Sequence, residues 1–209
     1  MYQLYLTMRS AAMSTHAALE EVGAKYELRP VDLTKPRPAE FLLLNPQGKV
    51  PVLIHDLGGE RRVLFQSAAC LLYLADQYPE AKLAPPVGSP ARALVYQWLF
   101  YMAESLQAPY IMYFYADRYT ADPAGVAAVK AKAIDNIDTA WNHLDRALAL
   151  GPHFLGKTYS VADLYMLTFA VWHKPEMKTM APYAHVARNL TLVRARPAVK
   201  RMLQANEVA

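Results

Sequence analysis

Gln66-Ser67 stands between two apolar runs, Val63-Leu64-Phe65 and Ala68-Ala69-Cys70-Leu71-Leu72-Tyr73-Leu74. An amide and a hydroxyl where a strand meets a helix can hold a carboxylate, because the helix N-terminus offers unpaired N–H groups and partial positive charge. Upstream lies Asn45-Pro46-Gln47-Gly48-Lys49-Val50-Pro51-Val52-Leu53, a turn that enters a strand through Val50-Pro51. Together the two segments suit capture of a small anionic peptide. Lys35 and Lys49 read by themselves as solvated surface charges, the usual fate of lysine. Ser67 is equally a helix cap, and Pro51 an ordinary proline at a strand start.

The elements needed to position these residues are legible. Tyr2 to Leu6 reads as a strand covered on both faces, because nearly every residue is apolar. An Ala-rich helix over about 11–22 follows, with Gly23 as its stop. Tyr26 to Val31 is a second strand. Pro36 and Pro38 make residues 34–44 a loop with at most a short helix. Val52 to His55 and Arg62 to Phe65 are strands joined by the turn Asp56-Leu57-Gly58-Gly59. A helix from Ser67 to about Gln77 completes a β-α-β-(loop/helix)-β-β-α order, which is thioredoxin-like α/β.

Residues 80–90 read as a linker, with Pro79, Pro85, Pro86 and Pro90 in and beside it. Everything beyond reads as helix, over 91–115, 123–150, 161–173, 183–192 and 198–204. The expected organisation is therefore a thioredoxin-like domain over 1–79, a linker over 80–90 and an all-α domain over 91–209. Ser160 and Asp163 have the spacing of a capping box, with Tyr159 and Leu164 placed as a hydrophobic staple. Pro197 suits the first turn of the last helix.

Composition bounds the function. The 209 residues are 54% hydrophobic and 19% charged, which is globular rather than disordered. A net charge of +4 without a dense Lys/Arg block argues against nucleic acid and suits a small anionic ligand. The single cysteine, Cys70, excludes a disulfide framework and gives no metal cluster. It lies on an apolar helix and reads as a small buried hydrophobe. With no charged leader before an apolar run and no stretch of membrane length, a soluble, cytoplasmic protein is expected.

Four segments in order resemble the glutathione S-transferase family: Asn45 to Leu53, Gln66-Ser67, Phe154-Leu155-Gly156 through Ser160-Val161-Ala162-Asp163, and Arg196-Pro197-Ala198-Val199. The resemblance covers essentially the whole chain and implies glutathione as co-substrate. It gives Val50 the role of pairing its N–H and C=O with the cysteinyl backbone, as an added strand does. Pro51 is cis in the family, which turns those groups toward the ligand. Ser67 and the N–H groups beside it then hold the γ-glutamyl carboxylate, Gln66 meets the γ-glutamyl head group, and Lys35 or Lys49 meets the glycyl carboxylate.

The activating group departs from the family pattern. Aligned with the bacterial beta class, which the chain otherwise resembles, Ala11 falls at the catalytic cysteine. Met8-Arg9-Ser10-Ala11-Ala12 resembles the zeta class instead and places Ser10 at a catalytic serine, with Thr7 second and Tyr5 also near. A thiol that titrates near 8.5 is shifted toward neutrality by one such donor plus a helix N-terminus. Ser10 is equally an N-cap, and the N–H groups of Ala11 or Ala12 can serve without a side chain.

Further along, the family's beta-class asparagine and histidine are replaced by Phe100 and Gln107. The dense aromatic run around them suggests a pocket for a flat hydrophobic electrophile, with Tyr101, Tyr110, Tyr113, Phe114 and Trp172 as its lining. Such rings equally build a core or a dimer interface. His173 is expected to be packed or exposed rather than catalytic, and Pro109 to kink or divide its helix.

The resemblance thus implies a detoxifying transferase that conjugates glutathione to a hydrophobic molecule, as a homodimer without metal, membrane or nucleic acid. Isomerase, lyase and dehalogenase variants stay open. The alternative is a non-catalytic protein that binds glutathione and hydrophobic ligands with the same fold. A disulfide reductase of the thioredoxin kind lacks its Cys-x-x-Cys.

Overall fold

The computed structural model describes residues 1–208. They form two compact units, one made of Met1–Val87 with the residues from Arg194 onward, the other of Gly88–Val193.

In the first unit the order is β1 (Tyr2–Leu6), α1 (Ala12–Glu21), β2 (Tyr26–Pro30), α2 (Ala39–Leu44), β3 (Val52–Asp56), β4 (Arg61–Phe65) and α3 (Ser67–Gln77). The sheet runs β2-β1-β3-β4, with β1 parallel to β2 and the other pairs antiparallel. This is the expected thioredoxin-like sheet. Val52, Leu53 and Ile54 are buried on both faces of the inner strand β3, whereas most of the edge strand β4 is exposed. Alanines 12, 17 and 18 of α1 are fully covered. Their small side chains let α1 approach β1 and α3 closely. Gly23 ends α1 with φ +64°, as read from the sequence, because only a residue without Cβ adopts that angle at no cost.

The second unit holds α4 (Pro90–Met102), α5 (Ala108–Phe114), α6 (Val126–Leu148), α7 (Val161–Trp172) and most of α8 (Ala184–Ala195). The single helix expected over 91–115 is divided by a π-helical segment, Ala103–Gln107, just before Pro109. Proline removes an N–H and crowds the preceding turn, and a widened turn relieves both. The capping box forms: Ala162 N–H donates to Ser160 Oγ at 3.3 Å, and Ser160 N–H donates to Asp163 Oδ2 at 2.9 Å. The buried Asp163 also accepts from Phe154 N–H at 3.3 Å and Asn189 Nδ2 at 2.7 Å. A buried carboxylate is tolerable only when its lone pairs are filled in this way.

The last helix, α9 (Pro197–Ala205), returns to the first unit and packs against α1. This corrects the expectation that everything after the linker belongs to the helical domain. What draws α9 back is a buried apolar face, Val199, Met202 and Leu203, reinforced by charge. Arg196 grips Glu21 through Nε and Nη2 at 2.5 and 2.7 Å, and Arg201 Nε reaches Glu20 at 2.5 Å.

Candidate functional site

The register gathers the candidate residues of the first unit at one end of the sheet. Tyr5 of β1 stands opposite Val52 of β3, Val52 stands opposite Phe65 of β4, and Leu6 stands opposite Pro30 of β2. One step beyond this row lie Thr7, Val31, Pro51 and Gln66. The segments carrying Ser10, Lys35, Val50 and Ser67 therefore leave the sheet at the same end.

Val50 and Pro51 are buried, and the peptide bond between them is cis. Among the described residues, no hydrogen bond satisfies the Val50 N–H or C=O. A residue only 7% exposed with both backbone groups unpaired is prepared for an extended partner. Asn45 holds the turn before it, donating from Nδ2 to the Lys49 carbonyl at 2.7 Å and accepting Gln47 N–H at 3.1 Å.

Gln66 has φ +74°, a left-handed conformation that a residue with Cβ adopts at a cost. The turn it makes aims the first N–H groups of α3 outward, while its carbonyl accepts Cys70 N–H at 3.0 Å. The N–H groups of Ser67, Ala68 and Ala69 find no acceptor among the described residues. Unpaired N–H groups at a helix start carry partial positive charge and suit an anion. The Ser67 hydroxyl is engaged elsewhere, donating to the Ala11 carbonyl at 3.1 Å and joining the start of α3 to that of α1. Its N–H, rather than its O–H, is the donor left for a ligand.

At the start of α1, Ser10 Oγ accepts Ala12 N–H at 3.2 Å, so the capping role is real. The Ser10 O–H proton and the Ala11 N–H have no acceptor among the described residues. Both remain available to an anion. Thr7 does not: its hydroxyl donates to the Val31 carbonyl and ties the end of β1 to the loop after β2. The second candidate for thiol activation is thereby corrected to a strand tie, because its one proton is already spent. Ala12 N–H is likewise spent on Ser10.

Lys35 and Lys49 are exposed, and Lys35 pairs with Asp32 at 3.4 Å. Arg37, which sequence reasoning missed, organises both. Its guanidinium donates to the carbonyls of Gly48 at 3.0 Å, Asp32 at 3.1 Å and Leu33 at 2.8 Å, and also to that of Lys35. A Cβ on Gly48 would meet Arg37 Cγ at 3.0 Å, so glycine admits the clip as well as the +63° φ. A lone arginine between two prolines carries no sequence signal for such a role. Cys70 is fully buried, and burial pushes its thiol up to about 12, so it takes no part in thiolate chemistry.

In the second unit, four of the five aromatic candidates come together. Tyr110 stacks near Phe114 at 6.1 Å, Trp172 stands edge-on to both at 6.0 Å, and Tyr113 meets Phe114 at 5.5 Å. Tyr101 lies in a different group with Trp98 and His143, at 6.0 and 4.8 Å. Tyr110 is 0% exposed. Its hydroxyl accepts Trp141 Nε1–H at 3.1 Å and bonds His173 Nδ1 at 2.9 Å. It supports the cluster from beneath rather than offering surface. His173 Nε2 bonds the Lys178 carbonyl at 2.8 Å, which fixes the tautomer and makes the ring a packed tie, as expected. Among the described residues no group of side chains could hold a metal ion, and no helix is long and apolar enough to cross a membrane.

Residues 2–76 match the family model for the glutathione S-transferase N-terminal domain. A sphingomonad glutathione S-transferase solved with glutathione is 31% identical, with a TM-score of 0.86 over 99% of this chain and 100% of its own. The chain belongs to the glutathione S-transferase family. Glutathione S-transferase GstA of Escherichia coli O157:H7 is 27% identical over 97% of this chain and 98% of its own length. The disulfide-bond oxidoreductase YfcG of Escherichia coli strain K12 is 30% identical over 88% of this chain and 86% of its own length.

Proposed function

We propose that the protein is a glutathione transferase whose thiolate attacks a hydrophobic electrophile. The observation that carries this reading is the unpaired backbone of Val50 beside the open N-terminus of α3. The Val50 N–H and C=O pair with the cysteinyl backbone, and the N–H groups of Ser67 to Ala69 take the γ-glutamyl carboxylate, with Gln66 against the head group. Lys35 or Lys49 faces the glycyl carboxylate. Ser10 O–H and Ala11 N–H donate to the sulfur, so the thiol proton leaves to solvent near neutral pH. The sulfur lone pair then forms the S–C bond, and a leaving group departs with its electron pair or a proton adds to the activated double bond.

The electrophile is proposed to rest on Tyr113, Phe114 and Trp172, with Tyr101 a separate contact. Detoxification, a cytoplasmic location and a homodimer are parts of the same proposal. The test is an ultraviolet difference titration of glutathione bound at neutral pH. A saturable thiolate band that weakens in Ser10→Ala supports the reading. Confirmed binding with no band supports the non-catalytic alternative.

A further inference from the structure

The C-terminal residues reach the same loop as Ser10. Asn206 is 0% exposed, and each arm of its carboxamide is engaged. Nδ2 donates to His16 Nδ1 at 3.2 Å and to the Met202 carbonyl at 2.9 Å, while Oδ1 accepts Arg9 N–H at 3.4 Å. The Arg9 guanidinium in turn donates to the Glu207 carbonyl. Arg9 has φ +57°, a backbone state that a side chain disfavours and that needs outside support. It immediately precedes Ser10, whose N–H closes the turn onto the Thr7 carbonyl at 3.2 Å.

We infer that Asn206 and the Glu207 carbonyl form a clasp that sets the Arg9–Ala11 turn, and through it the direction of the Ser10 and Ala11 donors. Asn206 is thus a positioning residue for thiol activation. The inference rests on the proposed role of those donors. The Asn206 bond to His16 also fixes the distance between the turn and the second turn of α1. The groups that bind the peptide part of glutathione lie on other segments, so the clasp acts on the donors to the sulfur and reaches the affinity only through them.

Two variants test it. Asn206→Ala removes the carboxamide arm. Arg9→Asn removes the guanidinium arm on an exposed residue, keeps a type that tolerates positive φ, and leaves folding intact. In ligand-free protein, amide hydrogen exchange at Ser10 to Ala12 should speed up several-fold in both. With glutathione bound, the thiol pKa should rise by about one unit, a roughly tenfold fall in the thiolate-to-thiol ratio, and Kd should weaken by no more than that factor. A merely structural contact would lower Tm and leave that pKa in place. Unchanged exchange in Arg9→Asn overturns the clasp, and faster exchange with an unchanged thiol pKa overturns its role in activation. Wild-type protein that binds glutathione without a thiolate overturns the transferase reading instead, while the exchange result still decides the clasp.

Discussion

Ser67 Oγ donates to the Ala11 carbonyl at 3.1 Å across 56 residues of sequence, fastening the start of α3 to the start of α1. The two helix N-termini that are proposed to hold the carboxylate and the sulfur of one ligand are therefore joined directly by a hydrogen bond. The bond is buried, with Ser67 3% and Ala11 7% exposed. Ser67→Ala removes this donor while Ser14 Oγ still donates to the Ala11 carbonyl at 3.3 Å, so the loss is that of one ordinary hydrogen bond, about 0.5–1.5 kcal/mol. We expect the urea midpoint to fall accordingly and glutathione Kd to weaken beyond what the lost stability explains. An unchanged midpoint would show that the bond contributes nothing.

Ser10 and Thr7 should separate cleanly. Ser10→Ala loses the free O–H, and a hydrogen bond to a charged acceptor is worth about 1.5–3 kcal/mol, so the bound thiol should titrate about 1–2 units higher. Ser10→Thr should restore most of the shift. Thr7→Val loses only the tie to Val31 and should lower Tm with no movement of the thiol pKa. Equal shifts in Ser10→Ala and Thr7→Val would defeat the assignment to Ser10.

The sheet, the helix starts and the turns that flank the candidate site were legible because local rules decide them: apolar runs bounded by turn residues, a capping box, and an Asn-Pro-x-Gly turn before Val50-Pro51. The ties that aim the site were not. Arg37, Asn206 and the Thr7–Val31 bond depend on which loops meet at one sheet end, and no periodicity encodes that. The same blindness placed α9 with the helical domain, although Arg196 and Arg201 find Glu21 and Glu20 of α1. Tyr110 misled for a related reason. Its place in an aromatic run suggests a lining, whereas its bonds to Trp141 and His173 make it core.

Arg37 offers a test of loop order. Its guanidinium reaches four carbonyls, those of Asp32, Leu33, Lys35 and Gly48. A lysine ammonium is a point donor and cannot span them. Arg37→Lys should therefore raise KM for glutathione roughly tenfold, equivalent to about 1.4 kcal/mol, with kcat little changed. The thiol pKa should stay put, since the Ser10 turn is untouched. A fall in kcat at constant KM would contradict this placing of Arg37.

Acid should loosen the first unit through His16. Its ring is buried between Asn206, which donates to Nδ1, and Tyr26, whose hydroxyl bonds Nε2 at 2.9 Å and also donates to Glu20. Burial lowers the His16 pKa from 6.5, and the Glu20 charge offsets this only in part. The sign follows from linkage. In the unfolded chain His16 protonates near pH 6.5, before the folded protein does, so stability is complete above that pH and declines as pH falls toward the lower folded pKa. Burial raises the Glu20 carboxyl, but hydrogen bonds from Tyr26 and Arg201 outweigh it and hold the group below its ordinary value. Its contribution is present above the unfolded value of 4.5 and is lost as pH falls through its folded pKa. Arg9, Arg196 with Glu21, and Arg201 are the other charges at this junction of α1 and α9. We expect Tm to begin to fall as pH drops below about 6.5. His16→Gln, which cannot take up a proton, should flatten that first step while leaving the carboxylate step below pH 4.5. A first step that persists in His16→Gln would assign the transition to a different group.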